Sequence, residues 1–276
     1  MWATLSIGFL AGWVASSVVA SDCVPSEWGP DDQVGAANRI TPERTVAAAQ
    51  LVKLGASHPL GIVIEPSMPA YPPRTTTLQV VQPGLHFRSE GSHLYGWPAS
   101  ANDDLVQMWL GTGPQIDGLG HLGEDGEFYN CHRGEDISPI TGLTKLDISQ
   151  IPPLVARGVL IDLASYFEVE HLSGGQPVSE GDIQAAMKAQ GVSVGEGDVV
   201  LFHTGWTDAK LSSAPDEWNA AIPGITNDAA RYLASLKPVA VGADTWGLGA
   251  VPPAPGDKIF YDHAILLKQN GIYILE

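Results

Sequence analysis

From residue 158 onward the chain alternates two kinds of segment, and this limits its fold more than any other feature. Gly158–Leu163, Asp198–His203, Pro238–Gly242 and Gly271–Glu276 are short apolar runs bounded by turn residues. Runs of this kind fit strands buried on both faces. Helices stand between them. Ser179-Glu180-Gly181-Asp182 opens one that ends at Gly191, and Thr226-Asn227-Asp228 opens another that ends before Pro238. An earlier helix starts at Thr41-Pro42-Glu43, carries Val46, Ala47, Ala48, Leu51 and Val52, and stops at Gly55. Strand–helix–strand order predicts an α/β fold, a sheet with covering helices. Leu60 to Leu110 reads as β-rich and more irregular. The 21 Pro and 31 Gly are dispersed, and no repeat or long linker divides the chain. We therefore expect a single α/β domain with a mixed β-sheet and flanking helices.

The 276 residues include 14 Lys+Arg and 31 Asp+Glu, and 14 − 31 gives a net charge of −17. That excludes a nucleic-acid partner, which needs a surplus of cations, and docking on anionic lipid. It also sets an unfavourable field against strongly anionic ligands. Residues 1–20 carry no charged side chain, and Val18-Val19-Ala20 precedes a polar start. We read them as a signal peptide cleaved after Ala20, although the n-region has no Lys or Arg. The mature chain is then secreted or periplasmic and keeps no membrane attachment. In such a compartment Cys23 and Cys131, the two cysteines, can form a disulfide or remain free.

Several catalytic motifs are missing. There is no Gly-x-Ser-x-Gly, Ser-x-x-Lys or His-Glu-x-x-His. No Walker loop occurs, and we expect no nucleotide cofactor. The informative stretch is Gly111-Thr-Gly-Pro-Gln-Ile-Asp-Gly-Leu-Gly-His121. Gln115 and Asp117 are two apart and share a face in extended chain. His121 follows past two glycines. A carboxylate, an imidazole and an amide oxygen suit a divalent cation such as Mn²⁺ or Zn²⁺. The same spacing also suits a plain Gly-rich turn, with Asp117 capping an amide and His121 bonded to a core carbonyl. A second cluster ends the chain: Asp262-His263 before an apolar run, and Glu276 closing an apolar strand, where a charge has to be paired or at the rim.

These blocks carry a resemblance. Trp28–Glu43, Gly111–His121, Gly197–Trp206, Val241–Trp246 and His263–Glu276 together resemble the cyclase family of metal-dependent amidohydrolases, which includes bacterial kynurenine formamidase and isatin hydrolase. The resemblance spans nearly all of residues 21–276 and implies a cyclase-like domain there, of swivelling β/β/α type. The family signature is His-x-Gly-Thr-His-x-Asp-x-Pro-x-His. Aligned on Asp117, it implies metal-ligand roles for Asp117 and His121. Gln115 stands where a ligand His is usual, and Gly111 stands at the first His. His263 falls on a metal or catalytic His, and Glu276 on a carboxylate ligand of some members. Ala264 replaces a further polar position. With ligands missing, the expectation is one divalent ion, Mn²⁺ or Zn²⁺, on Gln115, Asp117, His121 and Glu276, with His263 beside it.

The resemblance implies hydrolysis of a C–N or C–O bond in a small cyclic amide, N-formyl amine or lactone. His121, His263 and Asp125 are the candidate proton-transfer residues. Trp109, Phe128, Tyr129, His203, Trp206 and Trp246 are candidates for a substrate slot, although each also suits an ordinary core position. Relatives imply a homodimer or tetramer. Two other readings stay open: a metal-free lyase, isomerase or cyclase using Asp117, His121 and His263 as acid and base, and a non-catalytic binding protein on the same fold.

Overall fold

The computed structural model describes residues 23, 25–81, 96–97 and 101–276. The expected signal peptide, residues 1–20, lies outside the described residues. In chain order the strands are β1 (Thr76–Val81), β2 (Asp103–Met108), β3 (Ile116–Asp117), β4 (Gly158–Asp162), β5 (Pro177–Val178), β6 (Val199–His203), β7 (Gly224–Ile225), β8 (Ala240–Ala243) and β9 (Tyr273–Leu275). The central sheet has the order β3-β9-β8-β6-β4. Strands β4, β6, β8 and β9 run parallel, and β3 joins β9 antiparallel, so the sheet is mixed. Burial on both faces holds for β8 and β9; β6, although it also lies between two strands, alternates buried and half-buried residues. β4 is an edge strand: Val159 and Ile161 point into the core while Leu160 is exposed.

The helices that cover the sheet follow from their caps and stripes. Helix Glu180–Gln190 starts on a capping box made by Ser179 and Asp182 and stops at left-handed Gly191. It buries Ile183, Ala186 and Met187. Helix Asn227–Ser235, capped by Thr226, buries Ala229, Ala230, Leu233 and Ala234, one face at helical spacing. The early helix is shorter than expected. It spans Pro42–Ala49 and buries no residue, so Leu51 and Val52 have no surface to pack on and stay outside it. Among the described residues no helix is long and apolar enough to cross a membrane.

Among the described residues, none between Leu60 and Leu110 joins the central sheet. The strands described there are the antiparallel pair β1–β2, which leaves Leu78, Val80, Leu105 and Val106 exposed. Gly118–Gly123 spells Gly-x-Gly-x-x-Gly, but it leaves β3 into a turn and opens no helix, which a dinucleotide fingerprint requires.

Behind β9 the N-terminal segment is tied down. Cys23 and Cys131 form a disulfide with 5.5 Å between their Cα atoms. Next to it, the Tyr129 hydroxyl donates to Asp32 Oδ2 at 2.6 Å, and its ring lies on Gly271. A Cβ on Gly271 would stand 2.7 Å from that ring, and its φ is +62°, so only glycine fits. Burial raises the Asp32 pKa, but donors from Tyr129, Ser26, Val34 and Asn38 outweigh it and hold the carboxyl below its ordinary value.

Candidate metal centre and adjoining cavity

The parallel strands deliver one polar side chain each to the same end of the sheet. Asp162 ends β4, His203 ends β6, Asp244 follows β8 and Glu276 follows β9. Ligand sites in parallel sheets gather at this carboxyl end. The antiparallel β3 then brings the Gly-rich segment alongside. Its register pairs Asp117 with Ile274, and two further backbone bonds join Gln115 to Glu276, at 2.9 and 3.2 Å.

On one side of that pair lie Asp117, His121 and His263, each offering a ligand atom within 4.8 Å of the others. Asp117 Oδ2 is 3.6 Å from His121 Nε2 and 3.5 Å from His263 Nε2. It is buried and has no hydrogen-bond partner. A buried carboxylate oxygen left unpaired is costly unless a cation takes it. His263 is fixed from behind: its Nδ1 is 2.9 Å from Asp262 Oδ2, so Nε2 faces Asp117 and Glu276. A carboxylate behind a histidine is the usual support for a metal ligand. Burial lowers the His263 pKa, but Asp262, Glu276 and Asp117 outweigh it and hold it well above the ordinary value. That much negative charge around one imidazole favours any cation at this point. These residues fit a divalent ion.

Gln115 and Glu276, the other two expected ligands, pair with each other at the edge of this cluster. Gln115 turns its amide nitrogen, not its oxygen, towards the acids, donating to Glu276 Oε2 at 3.0 Å and Asp117 Oδ1 at 3.3 Å. Two carboxylates demand a donor there. Glu276 Oε1 accepts from Leu248 N at 2.9 Å and stands 3.1 Å from His263 Nε2, so both its oxygens have partners. It orients His263.

On the other side of the Gln115–Glu276 pair opens a cavity of about 480 Å³. Tyr71 and Trp246 line it, with ring centroids 5.3 Å apart. His203 lines it too. Asp162 Oδ1 meets His203 Nδ1 at 3.0 Å, and Nε2 is 4.0 Å from Asp244 Oδ2. Burial lowers the His203 pKa, but Asp162 and Asp244 raise it further, for a net upward shift.

The remaining sequence candidates lie elsewhere. Asp125 sits in a turn, Asp125-Gly126, with φ of 53° and 77°, between Glu124 and Glu127. Asp-Gly suits such a hairpin turn, and Asp125 is exposed there, outside the cluster. Phe128 and Tyr129 pack in the main core. Trp206 is buried in a satellite core with Trp218 and Ile222. Trp109 is exposed beyond β2. Of the six slot candidates, His203 and Trp246 line the cavity. Sequence reasoning missed Asp162, Asp244, Tyr71 and Arg74. The first two follow apolar strands, the signal that pointed to Glu276.

Comparison with known proteins agrees with this architecture. A solved structure of a novel cyclase is similar over 91% of this chain and 84% of its own, at 29% identity and a TM-score of 0.81. Isatin hydrolase A from Ralstonia solanacearum is 20% identical, with a TM-score of 0.50 over 86% of this chain and 84% of that one. Isatin hydrolase A from Labrenzia aggregata, solved with benzyl benzoate, is 21% identical, with a TM-score of 0.51 over 78% and 77%. The two isatin hydrolases share the fold. A search of curated proteins finds no match. Residues 57–250, well over half of the chain, match the family model described as "Putative cyclase". The chain belongs to the cyclase family.

Proposed function

We propose that the protein is a metal-dependent hydrolase that opens a C–N or C–O bond in a small cyclic amide, N-formyl amine or lactone. One observation carries the reading: the buried, unpartnered Asp117 Oδ2 faces the Nε2 atoms of His121 and His263. We assign a single divalent ion, Mn²⁺ or Zn²⁺, to these three residues. When bound, such an ion polarises a carbonyl and acidifies a water. The chain supplies the rest. Asp262 holds the His263 ring, and Gln115 keeps Glu276 and Asp117 in place from the cavity side. His203, steadied by Asp162, presents a nitrogen to the cavity and can hand a proton to a leaving group. Tyr71 and Trp246 offer flat apolar surface to a ring. The names of the isatin hydrolases suggest a first substrate, because isatin is a cyclic amide.

The test is elemental analysis of the purified chain beside Asp117→Ala, with turnover assayed on isatin, N-formyl aryl amines and lactones. About one Mn or Zn per chain, lost in the variant together with turnover, supports the reading. No metal in either protein after incubation with Mn²⁺ or Zn²⁺ overturns it. The Gln115 amide nitrogen, a donor where the signature has a histidine, favours the metal-free lyase or cyclase as the second reading.

We also propose export and a homo-oligomer. The Cys23–Cys131 disulfide supports an oxidising compartment. The exposed apolar strand pair β1–β2 supports self-association, since an isolated pair of strands is marginal in water. Light scattering of the full chain checks the second point; a monomer at micromolar concentration overturns it.

A further inference from the structure

The cavity contains a cation that nothing above uses. Arg74 precedes β1 and lines the cavity together with Gly111, Gln115 and Glu276. Its Nη1 donates to Gly111 O at 2.6 Å, its one side-chain hydrogen bond among the described residues. It forms no ion pair among the described residues. A guanidinium has five N–H donors in a flat fork. Most of that fork is unused.

The surroundings explain why it stays free. A Cβ at Gly111 would stand 2.6 Å from Arg74 Cζ and 2.7 Å from Nη1, so the guanidinium can lie here only against a glycine. Two of the three cavity carboxylates have other partners, and the third, Asp208, forms no bond to Arg74 among the described residues. Glu276 accepts from Gln115 and Leu248, and Asp244 accepts from the backbone of Thr204 and Gly205 and from the Thr204 hydroxyl. The one side-chain acceptor beside Gly111 is the neutral Gln115 Oε1, 2.9 Å from the same virtual Cβ.

We propose that Arg74 is the anion anchor of the cavity, and that the molecule bound there is a small aromatic monocarboxylate. Its carboxylate takes the free edge of the guanidinium through paired N–H···O bonds. Its ring lies on Tyr71 and Trp246, which share the cavity with Arg74. The charge is limited to one. Asp208, Asp244 and Glu276 also line the cavity, and the chain carries −17, so a dianion meets more repulsion than one arginine offsets. This assignment rests on the cavity being the substrate site of the proposed hydrolase, and among the substrate classes named above it favours those bearing an acid group over neutral ones such as isatin.

The test uses the full chain freed of metal by chelation, so that binding is read without turnover. Benzoate and its neutral counterpart benzamide are titrated by calorimetry into wild type, Arg74→Gln and Arg74→Lys. Wild type should bind benzoate at least about tenfold more tightly than benzamide, the order expected for hydrogen bonds to a charged partner. Arg74→Gln should abolish that preference while leaving benzamide affinity unchanged, which also shows that the cavity is intact. Arg74→Lys should keep part of it, because the charge remains and the fork is lost. Absence of benzoate binding at millimolar concentration, or a preference that survives Arg74→Gln, overturns the proposal. Asp117→Ala should leave the preference intact, and Arg74→Gln should leave metal content intact. Failure of the anchor is thereby distinguished from failure of the hydrolase reading.

Discussion

On one side of the Gln115–Glu276 pair, the Asp117 and His263 side chains are 6% and 5% exposed and pack against other charged groups. His121 reaches out from the same cluster to 39% exposure, and on the other side His203, also 39% exposed, faces a cavity lined by aromatic rings. The two sides are joined by a single pair of residues, yet their physics differs. Around the buried Asp117 and His263 side chains, charges interact strongly and an unpaired oxygen is expensive, so the geometry favours a cation. In the cavity, water screens each charge, so recognition has to come from shape, stacking and forked hydrogen bonds. The Asp117–His263 pair and the cavity thus lie in different dielectric environments, and one backbone pairing holds them in register.

Substitutions that affect one side only can break this division. The largest effect is expected from Asp117→Ala, which removes the oxygen shared by both imidazoles. Metal content should fall to background and turnover by about three orders of magnitude, the worth of several kcal/mol of charge stabilisation. Steady-state kinetics beside elemental analysis reads both, and retained turnover without metal would move the chemistry to the open side. Next comes Cys131→Ser, which frees the segment behind β9. A disulfide spanning 108 residues stabilises by about 2–4 kcal/mol, so urea unfolding should show a loss of that order. If the clamp serves only the closed side, metal affinity drops with stability while cavity binding at low temperature does not.

Glu276→Gln should sharpen the boundary itself. The amide can still accept from Leu248 N, but the charge facing His263 is gone. Metal affinity, measured by chelator competition, should fall about 10–100-fold, as for other supporting groups. An unchanged affinity would place Glu276 wholly on the cavity side. The smallest effect concerns His203. Its raised pKa should appear in NMR titration and move down in Asp162→Asn. Because the folded value lies above the unfolded one, this dyad stabilises the fold fully below the unfolded pKa and loses that contribution as pH rises through the folded pKa. Half-exposed, it should contribute less than about 1 kcal/mol. A His203 that titrates at its ordinary value would remove the ordered dyad from the open side.

Much of the fold was legible because local and tertiary signals agree. The Ser179 capping box and Gly191, or Thr226 and its alanine-leucine stripe, specify helices wherever they sit. The early helix was over-read because propensity continued past Ala49 where packing did not. Asp117, His121 and His263 were visible as residue types in a pattern. The donor role of Gln115 was not, since which amide end faces the acids depends on Glu276, 161 residues away. Arg74 left no local signal at all. Its meaning comes from a contact with Gly111, 37 residues on, where the informative residue is the one without a side chain.

That glycine has an evolutionary consequence. A side chain at 111 and the guanidinium of Arg74 claim the same few ångströms, so the two positions are epistatic. A histidine at the first signature position would have to push aside the guanidinium, the far end of a flexible side chain. Changing 111 alone evicts the arginine, and changing 74 alone leaves a gap with nothing to bind. Any laboratory route towards a fuller metal motif has therefore to rehouse that guanidinium as well.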